Sequence, residues 1–223
     1  MTTTDPFGDR TAYHRAALAR LALSAEARYL AHRAEGCVTT GTDQVAEPGD
    51  LVGEAAVMVA AAEQVMTRAV VYERARGTSW EAIAERLGIQ RQSAHKRWSP
   101  AVAAWREALH QTDPVLLHEA VAFPTDTARS LDSWAAERGH GEHAVSGGLP
   151  TLTTAEEMVQ VLDALRHLYR DMHTRLDPAA HAALLDRKAA LLDRIAAEDG
   201  DPEAAEQAAE ARARAAQLRT DQE

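Results

Sequence analysis

Apolar residues recur at three- and four-residue spacings along most of the chain, which is the pattern of helices with one buried face. Leu18, Leu21, Ala25 and Tyr29 share a stripe that predicts a helix from about Asp9 to Ala34, stopped by Gly36. Val52, Ala55, Val59, Ala62, Met66, Ala69 and Val70 predict a second helix from about Leu51 to Arg76, ended by Gly77. Between them, residues 36–50 are rich in Gly, Thr and Asp and read as a loop. Two short helices follow, Trp80–Leu87 and Gln90–Trp98, separated by Gly88. Ser99-Pro100 predicts a fresh helix start, because Ser caps well and Pro suits a first turn. That helix carries Val102 and Trp105 and ends near His110.

The pattern weakens over residues 111–152, where Asp113-Pro114 and Phe123-Pro124 interrupt it. One helix is expected there, from Thr127 to Arg138, and residues 139–150 read as a flexible linker. The tail is clearer. Thr154 and Glu157 have capping-box spacing. Met158, Val161, Leu165, Leu168, Met172 and Leu176 then form one stripe, while Leu184, Leu185, Leu191, Leu192 and Ile195 form another after Asp177-Pro178. A third helix, rich in Ala, Glu and Arg, begins at Asp201-Pro202. The expected architecture is all-α. A helical region over residues 1–110 holds a helix-turn-helix at 78–98, a partly flexible connector with one short helix covers 111–152, and a hairpin or coiled-coil-like tail covers 153–223.

Composition agrees with this class. Of 223 residues 46% are apolar but only 4% aromatic, and alanine is abundant, which suits helices more than strands. The single cysteine, Cys37, excludes an internal disulfide. The first residues show no basic start followed by an apolar run, and the longest apolar stretch, Ala55 to Ala62, falls short of the roughly 20 residues a bilayer span needs. The expectation is a soluble, cytoplasmic protein without a membrane partner. Lysine occurs only at Lys96 and Lys188, and this Arg-, Ala- and Asp-rich bias is that of a GC-rich, actinobacterial type of genome.

Charge sharpens the picture. The net charge is −10, which argues against a protein that coats nucleic acid indiscriminately. Yet residues 68–98 hold seven basic and three acidic side chains, whereas residues 154–223 hold nine basic and fifteen acidic. No acidic residue lies between Gly88 and Trp105. The two short helices around Gly88 have the elements of a helix-turn-helix: small Ala84 where the helices cross, Gly88 for a positive φ, and Ile83, Leu87, Ile89 and Ala94 where core-facing side chains belong. Thr78 or Ser79 can cap the first helix. The second presents Gln90, Arg91, Gln92, His95 and Lys96, the residue types that read a major groove through guanine O6 and N7 or adenine N6 and N7.

This run, with Ile83-Ala84 before Leu87-Gly88 and Arg97-Trp98 closing the second helix, resembles the helix-turn-helix of sigma-factor region 4 and of related response-regulator output domains. Its Ser79-Trp80 start and Arg91-Gln92 pair are also similar to a motif of small actinobacterial DNA-binding proteins. The likeness covers about 25 to 30 residues and none of 111–223; no other sigma region is evident, so a sigma factor is not implied. It implies that the second helix enters the major groove, with Gln90, Arg91, Gln92, His95 and Lys96 nearest the bases and Arg97 with Thr78 or Ser79 near phosphates. Arg76, Arg91 and Arg97 are the expected phosphate-neutralising arginines.

Other chemistry is thin. His140 and His143 flank Glu142 in a Gly-rich stretch without a Cys or Asp cluster, so no metal is expected; neither is a cofactor, since no phosphate loop, nucleophile elbow or Cys–His signature is present. The expected function is sequence-specific binding of double-stranded DNA by a transcriptional regulator that is not an enzyme. A homodimer is expected, with the C-terminal helices as the pairing surface or as a site for a protein partner. The alternative is a helical adaptor that uses the same corner for protein contacts, for example with RNA polymerase or a phage or plasmid component.

Overall fold

Helices account for the regular structure of this chain, and the packing faces follow from where alanine and the branched aliphatics fall. A computed structural model describes residues 13–111 except 42 and 44, residues 117–170 and residues 178–221. Among the described residues there is no strand, and the protein is all-α. Two bodies are distinguished, one built from residues 15–109 and 118–150, the other centred on residues 151–221.

The first body rests on an antiparallel pair, α1 (Arg15–Val38) and α2 (Asp50–Ala75). Arg20 lies 5.9 Å from the Tyr72 ring, Arg68 meets Glu26 at 3.5 Å, and Arg33 pairs with Glu54. Positions therefore rise along one helix as they fall along the other. Helix α1 continues through Gly36, where the sequence predicted its end. One glycine in a helix costs only about 1 kcal/mol, and the Arg33–Glu54 and Arg138–Glu35 pairs hold the turns around it.

The face of α2 turned to α1 is not the predicted apolar stripe. It is the row Glu54, Met58, Ala61, Val65, Arg68 and Tyr72, each partly or fully buried. The predicted stripe lies on the opposite side. Of its members only Val70 is buried, at 4% exposure, whereas Val52 is 74% and Val59 64% exposed. Alanine and long amphipathic side chains suffice for the α1 contact, because their stems cover apolar surface while their heads pair.

Helices α3 (Trp80–Leu87) and α4 (Arg91–Ala108) pack on the C-terminal part of α2 through Ile83, Ala84, Ala94, Trp98, Val102 and Trp105. Helix α4 is continuous, although Ser99-Pro100 predicted a break within it. Trp98, Val102 and Trp105 lie on one helical face, and their burial keeps the helix continuous through the proline. Residues 118–150 do not behave as a loose connector. Helices α5 (Glu119–Ala122) and α6 (Pro124–Ala136) pack on α1. Asp132 of α6 accepts the Val145 and Ser146 N–H groups at 2.8 and 3.1 Å, which ties the 3-10 turn Ser146–Gly148 to the helix. Burial alone would raise this carboxyl's pKa, but these donors outweigh it and hold it below the ordinary value.

His118 caps α5. Its Nδ1 accepts the Ala120 N–H at 3.1 Å while Nε2 lies 3.2 Å from Glu26 Oε1, so the neutral ring with its proton on Nε2 satisfies both. Burial chiefly, with Arg68 adding to it, holds the His118 pKa below the ordinary value against the opposing pull of Glu26.

In the second body, α7 (Thr154–Arg170), α8 (Pro178–Asp199) and α9 (Pro202–Thr220) pack together. The stripes expected to serve pairing are closed within the chain. Val161 and Leu165 meet Ala180 and Leu184, Leu192 meets Ala204, Ala208 and Ala211, and Leu185 meets Ala215. Met172 and Leu176 lie outside the described residues. The capping box is one residue earlier than predicted: Thr153 Oγ1 accepts the Glu156 N–H, and Glu156 accepts the Thr153 N–H at 3.0 Å. Glu157 is buried instead between Arg187 and Arg194. That buried pairing selects the register, since Thr154 and Glu157 could not both cap and serve it.

Two expectations follow. Pro100 is exposed and lacks the N–H that a helix interior uses, a defect of about 3 kcal/mol. Pro100→Ala should stabilise the protein by about 2 kcal/mol, once the lost restriction of the unfolded chain is subtracted; urea denaturation measures it, and a destabilised variant would show that the proline is better accommodated than its missing bond implies. His118, with its folded pKa lowered, contributes stability that is complete above its unfolded value, about 6.5, and is lost as pH falls through the folded one. His118→Asn, which keeps a capping acceptor, should therefore lose less stability than the wild type between pH 7 and 5 in thermal melts.

Candidate nucleic-acid interface

The corner between α3 and α4 is built from local rules. Ser79 is the N-cap of α3, its Oγ accepting the Ala82 N–H at 3.1 Å, which decides between Thr78 and Ser79. Gly88 ends α3 with φ 65 and ψ 29, and the Ile89 N–H returns to the Ala84 carbonyl at 3.1 Å. The chain then turns into α4, whose Ala94 is fully buried against the corner. Ile89, expected in the core, is instead 39% exposed. The turn holds it at the mouth of a groove of about 420 Å³ lined by Val59, Met66, Leu87, Arg97 and Trp98.

The predicted recognition residues are all in exposed positions, but they do not form one cluster. Gln90 is the N-cap residue of α4 without a side-chain cap bond, and Arg91 lies in its first turn. At 100° per residue, Gln92 and Lys96 point away from the face of Ala94, Trp98 and Trp105. Ser93 shares their side, a residue the sequence reading passed over because serine carries no charge to single it out. His95 is turned to α3, its ring 5.2 Å from that of Trp80 in an edge-on contact. Arg97 is on the other flank, 4.8 Å from the Trp98 ring and facing the groove.

The residues expected at phosphates divide similarly. The Thr78 hydroxyl donates to Glu73, and the Thr78 carbonyl accepts from Arg74. Ser79 uses its oxygen as the cap. Arg76 pairs with Glu73 at 3.5 Å and lies 5.7 Å from the Tyr72 ring. Arg74 stacks over Trp80 at 5.0 Å and anchors the start of α3. By contrast, among the described residues of this body no carboxylate is within ion-pair distance of Arg91, Lys96 or Arg97. Such a stretch, at the N-terminal end of a helix and free of acidic groups, presents cations and N–H dipoles of one sign.

The rest of this body offers less chemistry. A cleft of about 600 Å³ is lined by Glu26, Tyr29, His32, His118 and Trp134, but its Glu26 and His118 are engaged with each other. His143 lies near Asp132 and Ser146, and among the described residues no three metal-capable side chains converge. Cys37 is exposed. Comparison with protein-family models, with curated proteins and with solved structures yields no match for this chain.

Proposed function

We propose that this protein binds double-stranded DNA in a sequence-specific manner through the α3–α4 corner and acts as a transcriptional regulator. The observation that carries this reading is the exposed first two turns of α4, which bear Arg91, Gln92, Ser93 and Lys96, with no carboxylate among the described residues within ion-pair distance of Arg91 or Lys96. A helix of this width fits the major groove of B-DNA, and its N-terminal residues are those that reach base edges. Arg91 is assigned a base contact, Gln92 and Lys96 the outer face of the helix. Arg97 supports the phosphate contact at the flank. Arg76 and Thr78 hold the corner together and have a lesser part in the contact. The acidic balance of residues 154–223 disfavours non-specific adsorption to DNA. The apolar groove at Ile89 favours a protein contact beside the corner.

Selection from a random duplex pool, followed by mobility shifts, tests the reading. Arg91→Ala should cost about 1–3 kcal/mol of binding and relax preference at one base position; an equal loss on every sequence would confine Arg91 to the backbone. Affinity should fall about a thousandfold between 50 and 200 mM salt for an assembly that engages about six phosphates. A flat response would remove nucleic acid as the ligand.

A further inference from the structure

The bare side of α2 has an order of its own. Val52, Val59 and Met66 recur at sevens, and Ala55, Ala62 and Ala69 recur at sevens three residues later. This is an a/d seam of about two and a half heptads, with every a position bulky and every d position alanine. Its C-terminal end, at Ala69 and Val70, runs under α3 and α4. Over Val52 to Ala62 it is exposed among the described residues. The seam leads into the groove bounded by Met66, Leu87, Ile89 and Trp98.

We propose that this seam is the homodimer interface, closed by α2 of a second copy running antiparallel across it. The alternation of sizes selects the direction. In a parallel pair, alanine layers would face alanine and leave gaps between layers of Val and Met. In an antiparallel pair a positions face d positions, so over the open part of the seam Val52 meets Ala62 of the second copy and Val59 meets its Ala55. Each bulky side chain then lies on a small one, which fills space at native density and lets the helices approach closely. The same register brings Leu51 and Val52 of the second copy toward the groove beside Ile89, so both exposed features are covered by one contact. The hairpin is already folded by its α1 face, so little ordering is needed on association. Helix α2 also has the length and hydropathy of a membrane span. Glu54, Glu63 and Arg68 along it, and its pairing with α1, make a second copy the better-matched occupant than lipid.

This interface deepens the DNA-binding reading by pairing two α3–α4 corners about a two-fold axis near Val57, and rests on that reading in this respect alone.

Sedimentation equilibrium of the full chain without DNA tests the pairing. The wild type should show twice the chain mass at micromolar concentration, and Val59→Arg, at an exposed position, should shift the midpoint of association at least a hundredfold with unchanged circular dichroism. In a Cys37→Ser background, Val52→Cys mixed with Ala62→Cys should form a disulfide-linked dimer on mild oxidation, whereas Val52→Cys alone should not. A monomeric wild type would overturn the proposal, as would a dimer that survives Val59→Arg or a self-link at Val52. A dimer lost with Val159→Arg but not Val59→Arg would move the interface to α7 and overturn it equally. A dimer that fails to bind any duplex would leave this interface standing and remove the DNA reading alone.

Discussion

The left-handed residue at Gly88 is the constraint from which the exposed chemistry of this protein follows. A Cβ at φ 65 would carry strain of the order of 1 kcal/mol, so glycine lets α3 stop and α4 leave at a steep angle within two residues. That angle is held by small residues at the crossing, Ala84 and Ala94, and by Ile83 and Trp98 on α2. Only then does the start of α4 project from the body instead of lying along it. The cations near that start owe their freedom to this geometry, because the acidic groups close to them in sequence, Glu73, Glu81 and Glu85, sit on other turns of the corner or hold its own residues.

The molecule separates its structural from its exposed charges. Glu26, Arg68 and His118 link α1, α2 and α5, and Asp132 closes the turn after α6. Glu157 anchors two arginines in the tail body. Each of these groups is partly buried with a partner, the condition under which a buried charge is tolerated. Arginine is suited to this, since its planar head can pair while its stem covers apolar surface. Against that background, Arg91, Lys96 and Arg97 of α4 differ in having no carboxylate among the described residues within ion-pair distance.

Helix α2 illustrates how one helix serves two surfaces. Its apolar stripe is long, yet the contact with α1 uses a more polar side, through alanine, methionine and paired long side chains. The apolar stripe is completed by α3 and α4 over its last turns and stands open over the rest. An open stripe on a folded hairpin is a larger apolar surface than scattered exposed residues would make.

Much of this was legible from local signals. Periodicity located α2 and α6 to within a few residues, Ser79 and Gly88 bounded the corner, and the run without acids marked the exposed turns of α4. These signals act within one or two turns of chain, where the physics is that of capping, backbone freedom and helical period. The sequence by itself thus determined the helical class, the two-helix corner and the identity of its cations. Tertiary structure decided the rest: which side of α2 is buried, that α4 continues through Pro100, that residues 118–150 join α1, that Thr153 rather than Thr154 caps α7, and that Arg76 and Thr78 are taken by Glu73. Each of those outcomes depends on which residues meet. For α2, α4 and residues 118–150 those partners are distant in sequence, and for the cap of α7 and for Glu73 they were chosen among near-equivalent local options by burial and pairing, which no count of nearby residues contains.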